Sequence, residues 1–377
     1  MPIKSKVDSK TYENFTTLKN YLSNYTKKAY IVGGAVRDMH LNRPINDLDI
    51  EVYNISQNKF EEIMKKFGAI GVGKNFFVYK WKNIDISLPR IEKKIGIGHK
   101  AFDVRIAFDE KEASRRRDFT INALMLDIFS GKLLDFWGGI DDIKKKIIKI
   151  VDKNSFAEDS LRVLRAIQFT ARFGFKCDKN SIKIMQDINI GDLSKERIFW
   201  EFEKLFSAKY LHIGAYYLFK LRVFEKLFGF KVECREFVSI CKEFIKYQEN
   251  FSKKNYKYYF LFIVAKILKK DILLFLTAIN APTIYKKFYK EQFMQYNNNI
   301  DDKTIMQIAL KMPVKYWLES YKPKVKSRAI KLGVYDKKLD TKVKSSDVIK
   351  DGFKGKYIAK EITRRQMVYI DNYLKKN

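Results

Sequence analysis

The stretch from Ala29 to Tyr53, AYIVGGAVRDMHLNRPINDLDIEVY, constrains the fold of this chain more than any other part of it. An apolar run, Tyr30-Ile31-Val32, stops at Gly33-Gly34. Ala35-Val36-Arg37-Asp38 then begins a helix-like segment, and Asp47 to Val52 alternates polar and apolar residues as a half-buried strand does. The order is strand, glycine turn, helix, strand. Glycines lack a Cβ, so their backbone N–H groups can come close to a phosphate, and a helix start behind them favours negative charge. Period two puts Asp47 and Asp49 on one face of their strand, with Leu48 and Ile50 on the other.

Two carboxylates on one face near a phosphate cradle suit divalent metal held against a triphosphate, the chemistry of nucleotidyl transfer. An isolated Asp-x-Asp would equally suit a solvated strand edge; the glycine pair upstream decides between the two. The string GGAVRD…DLDIEV resembles the class II tRNA nucleotidyltransferase and bacterial poly(A) polymerase family. That resemblance implies an α+β protein: a nucleotidyltransferase-type N-terminal head with a small mixed sheet over residues 1–140, a helical neck with a nucleotide-base template over 141–205, and an all-α body and tail that bind RNA over 206–377.

The balance of charge agrees with a polyanionic partner. Lys and Arg number 75 against 44 Asp and Glu, a formal charge of +31 on 377 residues, and such a chain attracts nucleic acid with affinity that falls as salt rises. Abundant Lys, Ile, Asn, Phe and Tyr also point to a compositional bias, and charge alone does not separate nucleic acid from an anionic membrane. Cys177, Cys234 and Cys241 have no metal-ligand spacing, so reduced thiols are expected. The N-terminus lacks an apolar signal core and no window approaches ~18 uninterrupted apolar residues, so a cytoplasmic protein without a membrane span is expected.

In chain order, residues 1–28 read as a helical lead-in, Asn58–Phe67 as an amphipathic helix, and 76–81 and 84–88 as two strands of one sheet. Asp85 lies on the second of these. It could complete a metal site or take the proton of an attacking hydroxyl, or it could be a turn aspartate, since periodicity does not assign its face. Residues 89–113, with Gly96 and Gly98 and weak periodicity, read as a long mobile loop entering a strand. In the resembled family a loop here assists the switch from adding C to adding A and is lacking in enzymes that add only CC.

Arg115 to Leu124, RRRDFTINAL, resembles the family's RRDFTINA motif. Clustered arginines offer planar donors to triphosphate oxygens, and an adjacent carboxylate can accept from a ribose hydroxyl; Arg117, Asp118 and Asn122 are the candidates, with Gly33, Gly34 and Arg37 from the first motif. Asp135 to Asp142, DFWGGIDD, matches the family's hinge between head and neck. Phe156 to Phe169 reads as one helix, with Asp159, Arg162 and Arg165 recurring every three residues on one face. Taken alone that spacing is an ordinary ion pair. The segment resembles the family's EDxxR motif, in which protein side chains act as the template. A carboxylate and a guanidinium side by side complement the amino group and ring nitrogen of C or A, and reject U and G. Ser160 stands where many relatives have proline. Ser194 reads as a helix N-cap, and beyond about Leu205 the chain is aromatic-rich and helical. The His40, His99 and His212 positions form no His-Asp dipeptide, so a histidine-based metal site is not expected. The tail from Ile349 to Arg365 resembles the family's helix-turn-helix more loosely.

The resemblance thus implies a template-independent enzyme adding CCA to the 3′ end of tRNA from CTP and ATP with Mg²⁺, gripping the 3′ end and acceptor stem. Asp47, Asp49 and Asp85 would be catalytic, the first two binding metal, and no protein partner is implied. A-adding tRNA nucleotidyltransferases and poly(A) polymerases share nearly all these motifs, and a non-catalytic RNA-binding protein would share the charge and the aromatic helices.

Overall fold

The computed structural model describes residues 2–72, 77–94, 102–107, 109–292 and 300–376. By contacts the chain forms two compact units, one of residues 1–201 and 220–226, the other of 202–219 and 227–377. The first holds the expected head and most of the expected neck, whose last residues, 202–205, fall in the second.

That unit opens with helix α1 (Ser9–Leu22), capped by Asp8, whose carboxylate accepts from the Thr11 N–H at 2.9 Å. Strand β1 (Ala29–Val32), helix α2 (Gly34–His40), strand β2 (Leu48–Val52), helix α3 (Gln57–Phe67) and strands β3 (Ile70–Val72), β4 (Val78–Trp81) and β5 (Ile84–Ser87) follow. Strands β6 (Arg90–Lys94) and β7 (Phe102–Ile106) lead to helix α4 (Glu110–Arg115), then strands β8 (Met125–Asp127) and β9 (Leu133–Leu134) and helix α5 (Gly139–Lys145). The main sheet runs β3-β4-β5-β2-β1-β8-β9; β2 and β5 are parallel and the other pairs antiparallel.

One face of this sheet is core. Leu48, Ile50, Ile84 and Ile86 are buried, and Tyr79, in register with Ile86, meets Phe60 of α3 edge to face at 5.6 Å. Tyr21 of α1 stacks on Phe67 of α3 and donates to the Ile63 carbonyl at 2.8 Å, so the two helices cover that face together. With apolar side chains committed to the helices, period two leaves the alternate residues of β2 and β5 on the other face.

Three expectations are corrected. Residues 89–113 are not a loop that merely ends in a strand: β6 and β7 pair antiparallel from Arg90↔Ile106 to Lys94↔Phe102, the backbone pairing having no signature in a charged stretch without clean alternation, and residues 95–101 lie outside the described residues. Phe76 also lies outside them, and Phe77 takes a left-handed turn (φ 49°), so its strand begins at Val78. The segment 156–169 is not one helix. Helix α6 (Lys153–Ala157) ends before Asp159, and α7 (Leu161–Phe173) begins after it; the Asp159 carboxylate accepts the Leu161 N–H at 3.2 Å, a side-chain bond that competes with continuing the helix.

Beyond α7, strand β11 (Lys176–Cys177) pairs parallel with β10 (Ile147–Ile148). Helices α8 (Lys179–Asp187) and α9 (Lys195–Phe206) follow, and Ser194 accepts from the Arg197 N–H at 3.4 Å. In the second unit the helix Tyr259–Leu268 is buried nearly all round. Phe260 stacks on Phe244, and Tyr259 on Phe251 with ring centroids 4.1 Å apart. A separate cluster around Trp317, Ile305, Met306 and Ile370 anchors the last helix, Lys356–Lys376. Buried Lys266 is paired with fully buried Glu319. Among the described residues, no helix is long and apolar enough to cross a membrane.

Candidate active site

Gly33 follows β1 with φ 70°, a left-handed conformation that turns the chain sharply into α2 and that only glycine adopts without cost. A Cβ there would stand 3.3 Å from Arg117 Nη1 and 3.9 Å from Asp49 Oδ2. The glycine turn, the second strand aspartate and the arginine of the RRD triplet therefore meet at one point, although 84 positions separate Gly33 from Arg117. Helix α2 is only seven residues long. Side-chain charge at this rim comes from Arg117, because Arg37 is spoken for.

Asp47 and Asp49 are exposed, and neither carboxylate makes an ion pair or hydrogen bond among the described residues. Asp49 is held above the ordinary carboxylate range, chiefly by loss of hydration against the surrounding protein, with repulsion from Asp85, Glu51 and Asp47 adding to it and Arg117 opposing it. The face of Asp85 is now assigned. It is the register partner of Asp49 across the parallel β2–β5 pair, so both side chains project from the same face. Lys80 lies 3.8 Å from it. Among the described residues no three His, Cys, Asp or Glu side chains gather into a metal-binding group. Two unengaged hard oxygen donors fit Mg²⁺ nonetheless, since that ion is usually held by one or two carboxylates with water and phosphate oxygens completing the shell.

Behind this rim lies a polar chain. Arg37 is buried, donates through Nε and Nη2 to Asp38 at 3.0 and 2.8 Å and through Nη1 to Asn122 Oδ1 at 2.6 Å, and packs over Phe173. The Asn122 amide donates in turn to Asp118 Oδ1 at 2.8 Å, an oxygen that also takes the Phe119 N–H, while Asp118 Oδ2 accepts from Arg165 Nε at 2.7 Å. Burial works to raise the Asp118 pKa, but Arg165, Asn122 and Arg162 outweigh it and hold the carboxyl below its usual range. The RRDFTINA backbone is pinned from below: Thr120 N–H donates to the Lys149 carbonyl and Thr120 Oγ1 to Asp142 Oδ2. Asp135 of the DFWGGIDD motif caps α5 by accepting the Gly139 and Ile140 N–H groups at 2.8 and 2.9 Å.

The EDxxR segment is arranged differently from its spacing. Asp159 lies in the break before α7, and its partner is Arg197 of α9, whose Nη2 is 3.1 and 3.2 Å from the two carboxylate oxygens. Arg162 donates to the carbonyls of Ser155 and Arg116, each at 2.6 Å. It thereby ties this segment to the RRD backbone. Arg165 faces Asp118 and not Asp159. Ser160 Oγ donates to Asp192 at 2.6 Å, a bond proline could not make.

Spacing overlooked three residues. Glu51, buried, accepts from Arg116 and Arg117 at 2.9 and 2.7 Å; it continues the alternation of Asp47 and Asp49, a signal present in the strand. Arg116 shares that carboxylate. Arg197 had no signal, because its partner is 38 residues away.

Parts of the chain match known proteins. Residues 29–149 match the poly A polymerase head domain, and residues 174–230 match the probable RNA and SrmB- binding site of polymerase A. The chain thus carries a head of the poly A polymerase type and is similar in sequence to CCA-adding enzymes. Relatives named CCA-adding enzyme include that of Buchnera aphidicola subsp. Cinara cedri, 40% identical over 195 residues (49% of this chain, 46% of that protein). That of Bacillus subtilis is 30% identical over 261 residues (68% and 64%). The Stenotrophomonas maltophilia multifunctional CCA protein is 37% identical over 188 residues (47% and 45%). The chain spans about half the length of the curated relatives it matches. The fold is shared end to end with the Bacillus stearothermophilus CCA-adding enzyme in complex with CTP (TM-score 0.68, 21% identity, covering 97% of this chain and 94% of that one). It is shared likewise with the Thermotoga maritima CCA-adding enzyme complexed with tRNA_CCA (TM-score 0.66, 19% identity, 100% and 97%). The nucleotidyltransferase family of the CCA-adding enzymes generally uses a divalent metal.

Proposed function

We propose that this chain is a template-independent nucleotidyltransferase that adds CCA to tRNA 3′ ends from CTP and ATP and releases pyrophosphate. The observation that carries the reading is the meeting of Gly33, Asp49 and Arg117 at one rim, with Asp49 on β2 and Asp47 just before it both unengaged. The naming of its relatives as CCA-adding enzymes supports the choice of product.

Residues 1–140 act as catalytic head, 141–205 as neck and base template, and 206–377 as body and tail gripping the tRNA 3′ end and acceptor stem, in the cytoplasm. Asp47 and Asp49 would hold Mg²⁺, which when bound would supply Lewis acidity for activating the RNA 3′-hydroxyl and neutralising the triphosphate. Gly33 and Gly34 let the backbone approach the phosphates, and Arg117 directs Nη1 at them. Arg37 and Asn122 fix Asp118, which retains an acceptor site for a ribose hydroxyl. Asp85, the register partner of Asp49, draws the proton from the attacking hydroxyl in this reading. Asp159 accepts from the exocyclic amino group of C or A, and Arg162, anchored to the carbonyls of Ser155 and Arg116, donates to the adjoining ring nitrogen; Arg165 holds Asp118.

The test is one incubation with three tRNA transcripts, ending before C, after one C and after CC, each with CTP, ATP or both. Completion to CCA with a stop after one A supports the reading. Activity on the CC-ended transcript alone would make the chain an A-adding enzyme, extension of unstructured RNA by many A residues a poly(A) polymerase, and RNA binding that survives EDTA without any transfer a non-catalytic RNA-binding protein.

A further inference from the structure

Arg117 lies between two carboxylates on one strand face. It is attracted electrostatically to Asp49 as well as to Glu51, yet its hydrogen bond goes to Glu51, through Nη2 at 2.7 Å, and none is made to Asp49. The reason is burial. The Glu51 side chain is 3% exposed and that of Arg117 21%, so the pair lies where Coulomb attraction is strongest. Glu51 is anchored independently by Arg116 at 2.9 Å and by the Tyr53 hydroxyl at 3.1 Å. The opposite end of the guanidinium, Nη1, is left facing the Gly33 turn.

We infer that Glu51 is a positioning residue that holds Arg117 off Asp49, keeping the aspartate free for a divalent cation and the guanidinium aimed at the phosphate cradle. The inference rests on the metal reading of Asp47 and Asp49 given above. Without Glu51, the nearest open acceptor for Arg117 is Asp49, and a guanidinium bound there would repel a cation. The loss then comes from the released arginine and not from any missing ligand, so removing the arginine as well should cure it.

The test is Mn²⁺ binding to the intact, nucleotide-free chain, followed by the electron paramagnetic resonance of the free ion, in the unaltered protein, Glu51→Gln, Arg117→Met and the double variant. Glu51→Gln should weaken Mn²⁺ about tenfold, the size of one charged hydrogen bond gained by the competitor. Arg117→Met should bind at least as tightly as the unaltered chain, and the double variant should return to within about twofold of Arg117→Met. Nucleotide KM should rise in all three variants, for CTP and ATP alike, because the arginine serves the phosphates. Weakened Mn²⁺ binding in Arg117→Met, or in the double variant to the same degree as in Glu51→Gln, overturns the inference. Should Glu51→Gln fail to fold, Glu51→Asp takes its place, its shorter carboxylate withdrawing the acceptor from Arg117; Mn²⁺ binding unchanged in it overturns the inference. An unaltered chain that binds no Mn²⁺ overturns the metal reading itself, which is seen before any variant is made.

Discussion

Gly138 and Gly139 are adjacent and required for different reasons, and alanine at each separates them. Gly138 has φ 75° with nothing within 4 Å of where a Cβ would sit, so Gly138→Ala meets only the cost of the left-handed backbone, about 1–2 kcal/mol. Gly139 is helical, and a Cβ there would stand 2.3 Å from the Thr120 carbonyl oxygen, 2.9 Å from its carbon and 3.1 Å from Leu124 Cδ2. The obstacle is backbone, and it must retreat by about 0.7 Å, which places Gly139→Ala at the top of the overpacking range, about 3 kcal/mol. Thr120 cannot retreat cheaply, because its N–H is bonded to the Lys149 carbonyl and its hydroxyl to Asp142. For a unit of about two hundred residues the melting temperature should fall by roughly 9 °C in Gly139→Ala and by roughly 4 °C in Gly138→Ala, read by circular dichroism. Asparagine, which tolerates the left-handed region, should recover part of the loss at 138 and none at 139. Equal losses at the two positions, or a larger one at 138, would refute the steric argument.

Asp47→Ala and Asp49→Ala should each abolish nucleotide incorporation while leaving the melting temperature within about 1 °C, since exposed, unengaged side chains contribute little to folding; an active double variant would be incompatible with the proposed chemistry. Arg165→Met should cost about 2 kcal/mol, at the lower part of the range for charged hydrogen bonds because the arginine is a third exposed, as measured by urea unfolding. Asp118 has a folded pKa held below its unfolded value, so its contribution is present above the unfolded value and is lost as pH falls through the depressed one; Arg165→Met should flatten that acid limb of stability. Arg197→Met should relax discrimination against UTP and GTP, because Asp159 loses the partner that orients it, and unchanged selectivity in primer-extension assays would show that the carboxylate is held by other means.

The strand, glycine turn, helix and strand of residues 29–53 were legible because each depends on contacts close in sequence. A left-handed Gly33, a period of two from Leu48 to Val52 that carries Asp49, and an N-cap at Ser194 express local sterics and local hydrogen bonding, while Asp47, expected on the strand, stands just before it. The ribbon of β6 and β7 was not legible, since its strands carry charges without alternation and are defined by pairing with each other. Nor was the break before α7: the period of three from Asp159 to Arg165 is real in sequence, but Asp159 bonds its own backbone two residues on and leaves the helical face.

What the sequence alone determined is the kind of chemistry available: an aspartate on a strand and another just before it, a glycine turn upstream of them, and arginines and a carboxylate in RRDFTINA. What only the tertiary structure decided is which charge answers which. Asp85 joins Asp49 because β5 lies parallel to β2, Arg117 turns to Glu51 in preference to Asp49, Arg165 takes Asp118, and Arg197 replaces Arg162 as the partner of Asp159. Sequence spacing lists the ions but not the distances or the dielectric between them. Coulomb energy depends on both, and both are set by how sheet, turn and neck helices pack.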